Sequence, residues 1–365
     1  MMYFNSSACE IINGEVALIA LPQTLVPNTR KEFPQVRFVT FETNGQHRVG
    51  VHLDGSSIID LRAAQSLVGV GDTGPVASSL ASLLERWDEA FPATQQLVSQ
   101  VSEEWQSMPR DIRVDVSEVR LLAPLPKPTR LRDYLTYRGH ADGVGKGLPA
   151  AFEQMPVCYK GNHLAVIGPD EVVPWPAFTE QLDFELEIGF YVAGKGCNWS
   201  VSEAASHVAG LTLFNDISAR DIQIFEMSMN IGPSKGKDFC NIMGPCMVTM
   251  DEVDEFSLEL TASVNGEEWS RGSSRDRQYS CAEVLAWASY EEPVFPGEFL
   301  ALGTVGTGCG AELDRWIQPG DIVELAASGI GVLRSEIGSK HIPPPKHAGL
   351  PSFRGADRYI SHARR

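Results

Sequence analysis

Basic residues are scarce in this 365-residue chain: 30 Lys and Arg stand against 47 Asp and Glu, for a formal net charge of −17 and a pI near 4.9. Such a field repels a phosphate backbone, so nucleic acid is not expected as a partner. Long apolar runs are also missing. Val16 to Leu21 is far short of the ~20 residues that span a bilayer, and no basic stretch precedes it, so neither export nor a membrane partner is expected and the expected location is the cytoplasm. The seven cysteines, at positions 9, 158, 197, 240, 246, 281 and 309, show no C-x-x-C spacing, which argues against a disulfide framework and fits a reducing compartment. There is no G-x-S-x-G elbow and no Walker loop. Gly69-Val-Gly-Asp-Thr-Gly74 matches G-x-G-x-x-G but follows a helical pattern and no strand, so it reads as loop.

What is present is an ordinary globular composition, 43% hydrophobic and 21% charged, in a chain long enough for one large core and a smaller unit. Phe38-Val39-Thr40-Phe41 alternates, turns at Asn44-Gly45, resumes through Val49 to Leu53 and turns again at Asp54-Gly55, which predicts type I′ hairpins in a small meander. Leu80, Leu83, Leu84 and Trp87, then Leu97, Val101 and Trp105, sit at helical spacing interrupted at Pro92, which predicts two helices. The stiff Ala123-Pro-Leu-Pro-Lys-Pro128 stretch puts a domain boundary just before it, giving residues 1–116 as a small N-terminal domain and 117–338 as the main one. The second part is rich in short β runs, including a hairpin at Asn265-Gly266, with helical patterns only near 201–210, 219–229 and 281–289. The expected class is mainly β with helices, α+β. Residues 339–365 hold six Lys or Arg and one acid and lack periodicity, which reads as a tail.

The chemistry sits in the carboxylates. In Leu182-Asp-Phe-Glu-Leu-Glu-Ile-Gly-Phe-Tyr-Val192, Phe184, Leu186, Ile188 and Phe190 share one parity and Glu185 and Glu187 the other. As a strand this aims both carboxylates at one face with Cα atoms ~6.5–7 Å apart. Two charges that close are either solvated on an outer face or bridged by a cation. Gly189 and Tyr191 on the same face are not a typical water-facing pair. In Leu213-Phe-Asn-Asp-Ile-Ser-Ala-Arg-Asp-Ile-Gln223, Asp216 ends an apolar run, Ser218 is placed to cap the next helix, and Arg220 and Gln223 lie i, i+3 on one helix face. Asp133, in Arg132-Asp-Tyr-Leu-Thr-Tyr-Arg-Gly-His140, reads alone as a loop residue.

These segments, taken with Gly236-Lys-Asp-Phe239, Met243-Gly-Pro245, Val264-Asn-Gly266, Gly303-Thr304 and Gln318-Pro-Gly-Asp321, occur in the order found in fumarylacetoacetate hydrolases. The chain resembles that family over roughly residues 118–338. The resemblance implies a β-roll catalytic domain and a homodimer. It implies Asp133, Glu185, Glu187 and Asp216 as ligands of a divalent cation, Mg²⁺ or Mn²⁺ and less readily Ca²⁺, and an all-oxygen donor set agrees. It further implies His140 as general base oriented by Glu312, with Arg220, Gln223 and Lys237 as donors around the reacting carbonyl. Tyr159 and Thr304 would be substrate contacts, with Arg138 and Asn241 at the edge of the site. The activity implied first is metal-dependent hydrolysis of a C–C bond in a β-diketone, acylpyruvate or related oxo acid. Decarboxylation or tautomerisation of an oxo acid on the same scaffold is the alternative, and a catalytically silent binding protein a more distant one.

Two departures bear on this. Leu135 and Met227 stand where mammalian-type members place tyrosines, which argues for a different substrate. Members with His-x-x-Glu carry an acid that this chain, with Ala141-Asp142-Gly143 after His140, lacks, so the dyad must rest on Glu312.

Overall fold

The computed structural model describes residues 11–12, 15–16, 36–67, 79–143 and 150–342. The Gly69–Gly74 loop and the tail from residue 343 lie outside the described residues. The chain divides into two compact units, Met1–Phe33 and Pro34–Arg365. Of the first, the strands Ile11–Ile12 and Glu15–Val16 form an antiparallel pair.

In the second unit, alternation at the start of the sequence becomes the meander Arg37–Thr43, Gln46–Asp54 and Ser57–Asp60. Asn44 and Gly45 take φ of 51° and 72°, the positive pair that a type I′ turn requires. The second turn falls one residue later than expected, on Gly55-Ser56, because Asp54 pairs with Ser57 as the last rung of the ladder. Arg37–Thr43 also pairs with Asn241–Thr249, so the meander is one end of a twelve-stranded sheet that includes strands from both sides of residue 117. From that junction the order continues through Val208–Asn215, Leu186–Val192, Glu298–Ala301 and Arg130–Leu135 to Val157–Gly161. A five-stranded sheet holds Glu259–Val264 and Glu267–Ser273, joined by a second Asn-Gly turn at Asn265-Gly266. The protein is thus mixed α+β and dominated by its sheets.

Both faces of the large sheet are covered. Phe184, Leu186, Ile188 and Phe190 point into one core with Leu260, Val323 and Leu325 of the five-stranded sheet and Val284 and Leu285 of the helix Cys281–Ser289. Tyr191, Phe214 and Phe299 point into the other with Phe38, Leu83, Leu84, Val98 and Val101. The strand Leu186–Val192 is therefore buried along its whole length, and no solvated outer face exists for Glu187. Gly189 is required here. A Cβ on it would meet the Phe299 ring at 2.3 Å.

The helical region differs from expectation in where it breaks. Ser79 and Ser82 cap the short helix Leu80–Glu85 reciprocally, the chain turns at Arg86, and one helix then runs Trp87–Glu103 through Pro92. Pro92 and Asp88, the residue whose carbonyl loses its partner, both face solvent, so water replaces the lost bond while Ala90, Thr94, Leu97, Val98 and Val101 hold the buried face. The helix expected over 201–210 ends at Ser206, because Val208 already begins a fully buried strand. No helix among the described residues is long and apolar enough to cross a membrane.

Phe299 meets Tyr191 and Phe214 with ring centroids 5.0 and 5.3 Å away. Phe299→Ala is expected to cost about 3–5 kcal/mol, read as a lower midpoint in urea unfolding.

Candidate active site

The main sheet brings four acids to one place. Asp133 comes from Arg130–Leu135, which runs parallel to Glu298–Ala301 with Asp133 opposite Ala301. Glu187 comes from Leu186–Val192, Glu185 from the residue just before it, and Asp216 from the residue just after Val208–Asn215. Each offers an oxygen, and these oxygens all lie within 4.8 Å of one another. All four side chains are buried.

Cationic side chains balance part of this charge. The Lys237 ammonium bonds Glu185 at 2.5 Å and also Asp216. Arg220 donates through Nε to Asp183 at 2.8 Å and pairs through a terminal nitrogen with Glu185 at 2.8 Å. That same nitrogen donates to Gln223 Oε1 at 2.9 Å, which leaves the amide nitrogen as the donating end of Gln223. The compensation is uneven. Burial works against the Glu185 charge, yet Lys237, Arg220 and His140 hold its carboxyl well below the usual range. Burial raises Asp133 well above its ordinary value, and the charges of Glu187 and Asp216 push it further. Glu187 is raised the same way, by burial and then by Glu185 and Asp216. Burial also lifts Asp216, against the pull of Lys237.

One buried oxygen of Asp133, one of Glu187 and one of Asp216 have no hydrogen-bond partner. An orphaned buried carboxylate oxygen is costly, and one on each of three clustered acids makes an environment that a bound cation relieves. The donors are all oxygen, which suits Mg²⁺, Mn²⁺ or Ca²⁺.

His140, on the helix Arg138–Gly143, lies at the rim. Its Nδ1 is 2.9 Å from Glu312 Oε2, and because a carboxylate only accepts, Nδ1 carries the proton. Nε2 faces the acids, 4.0 Å from Glu185. Glu312 is held in turn by the Thr307 amide at 3.1 Å and the Cys309 thiol at 3.3 Å. Tyr159 donates to Asp216 at 2.6 Å and Thr304 to Glu187 at 2.8 Å, so both expected substrate contacts touch the acids themselves. Gly303, at φ 87°, turns the chain beneath Thr304, where a Cβ would lie 2.3 Å from the Tyr134 carbonyl.

Asp133, His140, Tyr159, Glu185, Glu187, Gln223, Lys237 and Thr304 line one cleft of about 270 Å³, together with Leu135 and Met227. Five expected residues are not part of that lining: Asp216, Arg220 and Glu312 bond residues that are, whereas Arg138 and Asn241 point elsewhere. Arg138 is half exposed and pairs with Glu153, and Asn241 is buried with its amide nitrogen on the Asn162 carbonyl at 3.3 Å. Ser218 does not cap the helix Arg220–Met227. Ala219 occupies the cap position, and the Ser218 hydroxyl donates instead to the Asp216 carbonyl.

Asp183 is the residue that sequence reasoning missed. Wholly buried, it accepts from the amides of Gly310 and Ala311 at 2.7 and 3.0 Å and from Arg220, so it joins the turn bearing Glu312 to the helix bearing Gln223. Its signal was present, since Asp183, Glu185 and Glu187 share one parity. The Asn215 side chain, which accepts from the Glu185 amide at 3.0 Å, was likewise passed over.

Comparison with known proteins places the chain among similar molecules. A family model described as fumarylacetoacetate (FAA) hydrolase C-terminal matches residues 130–338. The oxaloacetate tautomerase YisK of Bacillus subtilis is 31% identical over 316 residues, covering 83% of this chain and all of that one. Among solved structures, a probable 2-hydroxyhepta-2,4-diene-1,7-dioate isomerase from Mycobacterium abscessus aligns at a TM-score of 0.61 and 26% identity, over 85% of this chain and all of that one. The maleylpyruvate hydrolase of Sphingobium sp. SYK-6, in complex with manganese(II) and pyruvate, aligns at 0.62 and 20% identity, over 84% of this chain and all of that one.

The raised carboxyls give a two-sided expectation. In cation-free protein their contribution to stability is complete below the ordinary values of 3.8 for Asp133 and 4.5 for Glu187, and is lost as pH rises toward the raised values. At pH 7, Asp133→Asn and Glu187→Gln are therefore expected to raise the Tm of cation-free protein while abolishing the Tm gain on adding Mn²⁺ or Mg²⁺. A cation at 100 times its Kd would stabilise the wild type by about 2.7 kcal/mol. A wild-type Tm indifferent to Mn²⁺, Mg²⁺ and Ca²⁺ would remove the cation from this site.

Proposed function

The chain belongs to the fumarylacetoacetate hydrolase family, and on that premise we propose that it is a divalent-cation-dependent enzyme shifting a proton at the carbon beside the carbonyl of a small 2-oxo acid, interconverting its keto and enol forms. The observation that carries this reading is the His140–Glu312 pair, whose free Nε2 faces the buried acids across 4.0 Å. The 31% identical relative named as an oxaloacetate tautomerase, matched over its whole length, supports the reaction class. A cleft of about 270 Å³, at the small end for ligand pockets, supports a small substrate.

Asp133, Glu185, Glu187 and Asp216 would hold the cation, which when bound supplies Lewis acidity toward the carbonyl and carboxylate oxygens of the acid. His140 Nε2 takes the proton from carbon, and the Glu312 carboxylate steadies the imidazolium that results. Gln223 lines the cleft with its oxygen occupied by Arg220, which leaves its amide N–H as the donor for the negative oxygen of the enolate. Lys237 adds positive charge at the same end. Return of the proton to oxygen or carbon completes the exchange and leaves the enzyme unchanged.

Hydrolysis of a C–C bond is the second reading. A histidine backed by a carboxylate at 2.9 Å is equally suited to draw a proton from water, and the maleylpyruvate hydrolase shares the fold. Product analysis separates the two: an isomer of unchanged mass means tautomerisation, two fragments with water added mean hydrolysis.

His140→Ala is expected to lower kcat by ~10²–10⁴ with Mn²⁺ binding nearly intact, because it removes a proton acceptor and no proposed ligand. Glu312→Gln should lose less, and the double variant little more than His140→Ala alone. Near-full turnover by His140→Ala in both assays would end the proposal for the dyad.

A further inference from the structure

The cleft has two ends of opposite character. Its floor is the group of acids, whereas its outer wall is Leu135, Val157, Met227 and Pro233. Val157 and Met227 are 50% and 45% exposed, apolar surface left open beside the most polar site in the protein. We propose that this wall receives an uncharged, apolar substituent, so that the preferred substrate is a 2-oxo acid with a hydrocarbon-like distal group and not a dicarboxylate. The inference rests on the 2-oxo acid reading above and specifies the half of the molecule that the acids do not reach.

Among the described residues lining the cleft, a second carboxylate would find no free cation. The basic ones are Lys237 and His140. Lys237 is committed to Glu185 and Asp216, and His140 to Glu312. Arg220 lies behind the lining and is bound to Asp183, Glu185 and Gln223, while Arg138 pairs with Glu153. A distal carboxylate laid on the outer wall would meet Leu135, Val157, Met227 and Pro233. Such a group would give up water and gain apolar contacts only, which disfavours it, whereas a branched alkyl group of the same shape gains by the transfer. Leu135 and Met227 thereby become specificity-determining residues.

The test uses two isosteric, chemically stable acids, 2-oxoglutarate and 5-methyl-2-oxohexanoate, in which the distal carboxylate of one is an isopropyl group in the other. Binding of each to the full chain in saturating Mn²⁺ is measured by titration calorimetry. The apolar acid should bind ~10-fold tighter or more. Met227→Arg, which places a cation on the wall, should reverse or erase that ratio while the affinity for Mn²⁺ itself stays as in the wild type. Equal or tighter binding of 2-oxoglutarate by the wild type would overturn the inference and leave the 2-oxo acid reading standing. Binding of neither acid by protein that binds Mn²⁺ would overturn both.

Discussion

Everything in this molecule is arranged around an unfavourable act, the burial of four carboxylates with oxygens within 4.8 Å of one another. Desolvation alone costs each ion several kcal/mol, and mutual repulsion adds to it. The sheet fixes the backbone that carries them: Asp133 and Glu187 sit on two of its strands and Asp216 directly follows a third. Lys237 and Arg220 neutralise the side toward Glu185 and leave Asp133 and Glu187 strained toward protonation. That asymmetry leaves under-compensated carboxyls at one edge and a fixed positive charge at the other.

Asp183 shows how the positioning is secured. One carboxylate takes two backbone amides from the turn before Glu312 and the guanidinium that fixes Gln223. The segment bearing Glu312 and the helix bearing Gln223 are thus tied to a single buried anchor. Charge-assisted bonds of this kind are stronger than neutral ones, and here each partner is shielded from water.

Much of this was legible before any coordinates. Period-two alternation in Phe184 to Phe190 located the central strand and aimed Glu185 and Glu187 together, while Asn-Gly pairs marked two hairpins with their positive φ values. Ordered family motifs picked out the acids that the sheet then gathered. Other features depend on information that a linear pattern does not carry. Whether Pro92 breaks a helix depends on whether Asp88 faces water, and whether Ser218 caps one depends on a competing carbonyl two residues back. Arg138 and Asn241 fall inside matched motifs, yet side-chain direction takes one to a surface pair and the other to a neighbouring loop. Asp183 escaped because, apart from the adjacent Phe184 amide, its partners are 37 to 128 residues away, far beyond any local window.

Those separations also set a timetable for synthesis. Asp133, Glu185, Glu187 and Asp216 all leave the ribosome before the lysine that balances two of them, and Lys237 follows Asp216 by 21 residues. At ~5–20 residues per second that interval is about 1–4 s, and Glu312 trails its histidine by 172 residues, or about 9–34 s. Completion of this sheet waits for Glu298–Ala301, which lies between Leu186–Val192 and Arg130–Leu135 and is made after Lys237, so the ammonium is already on the chain when Asp133 joins the other acids.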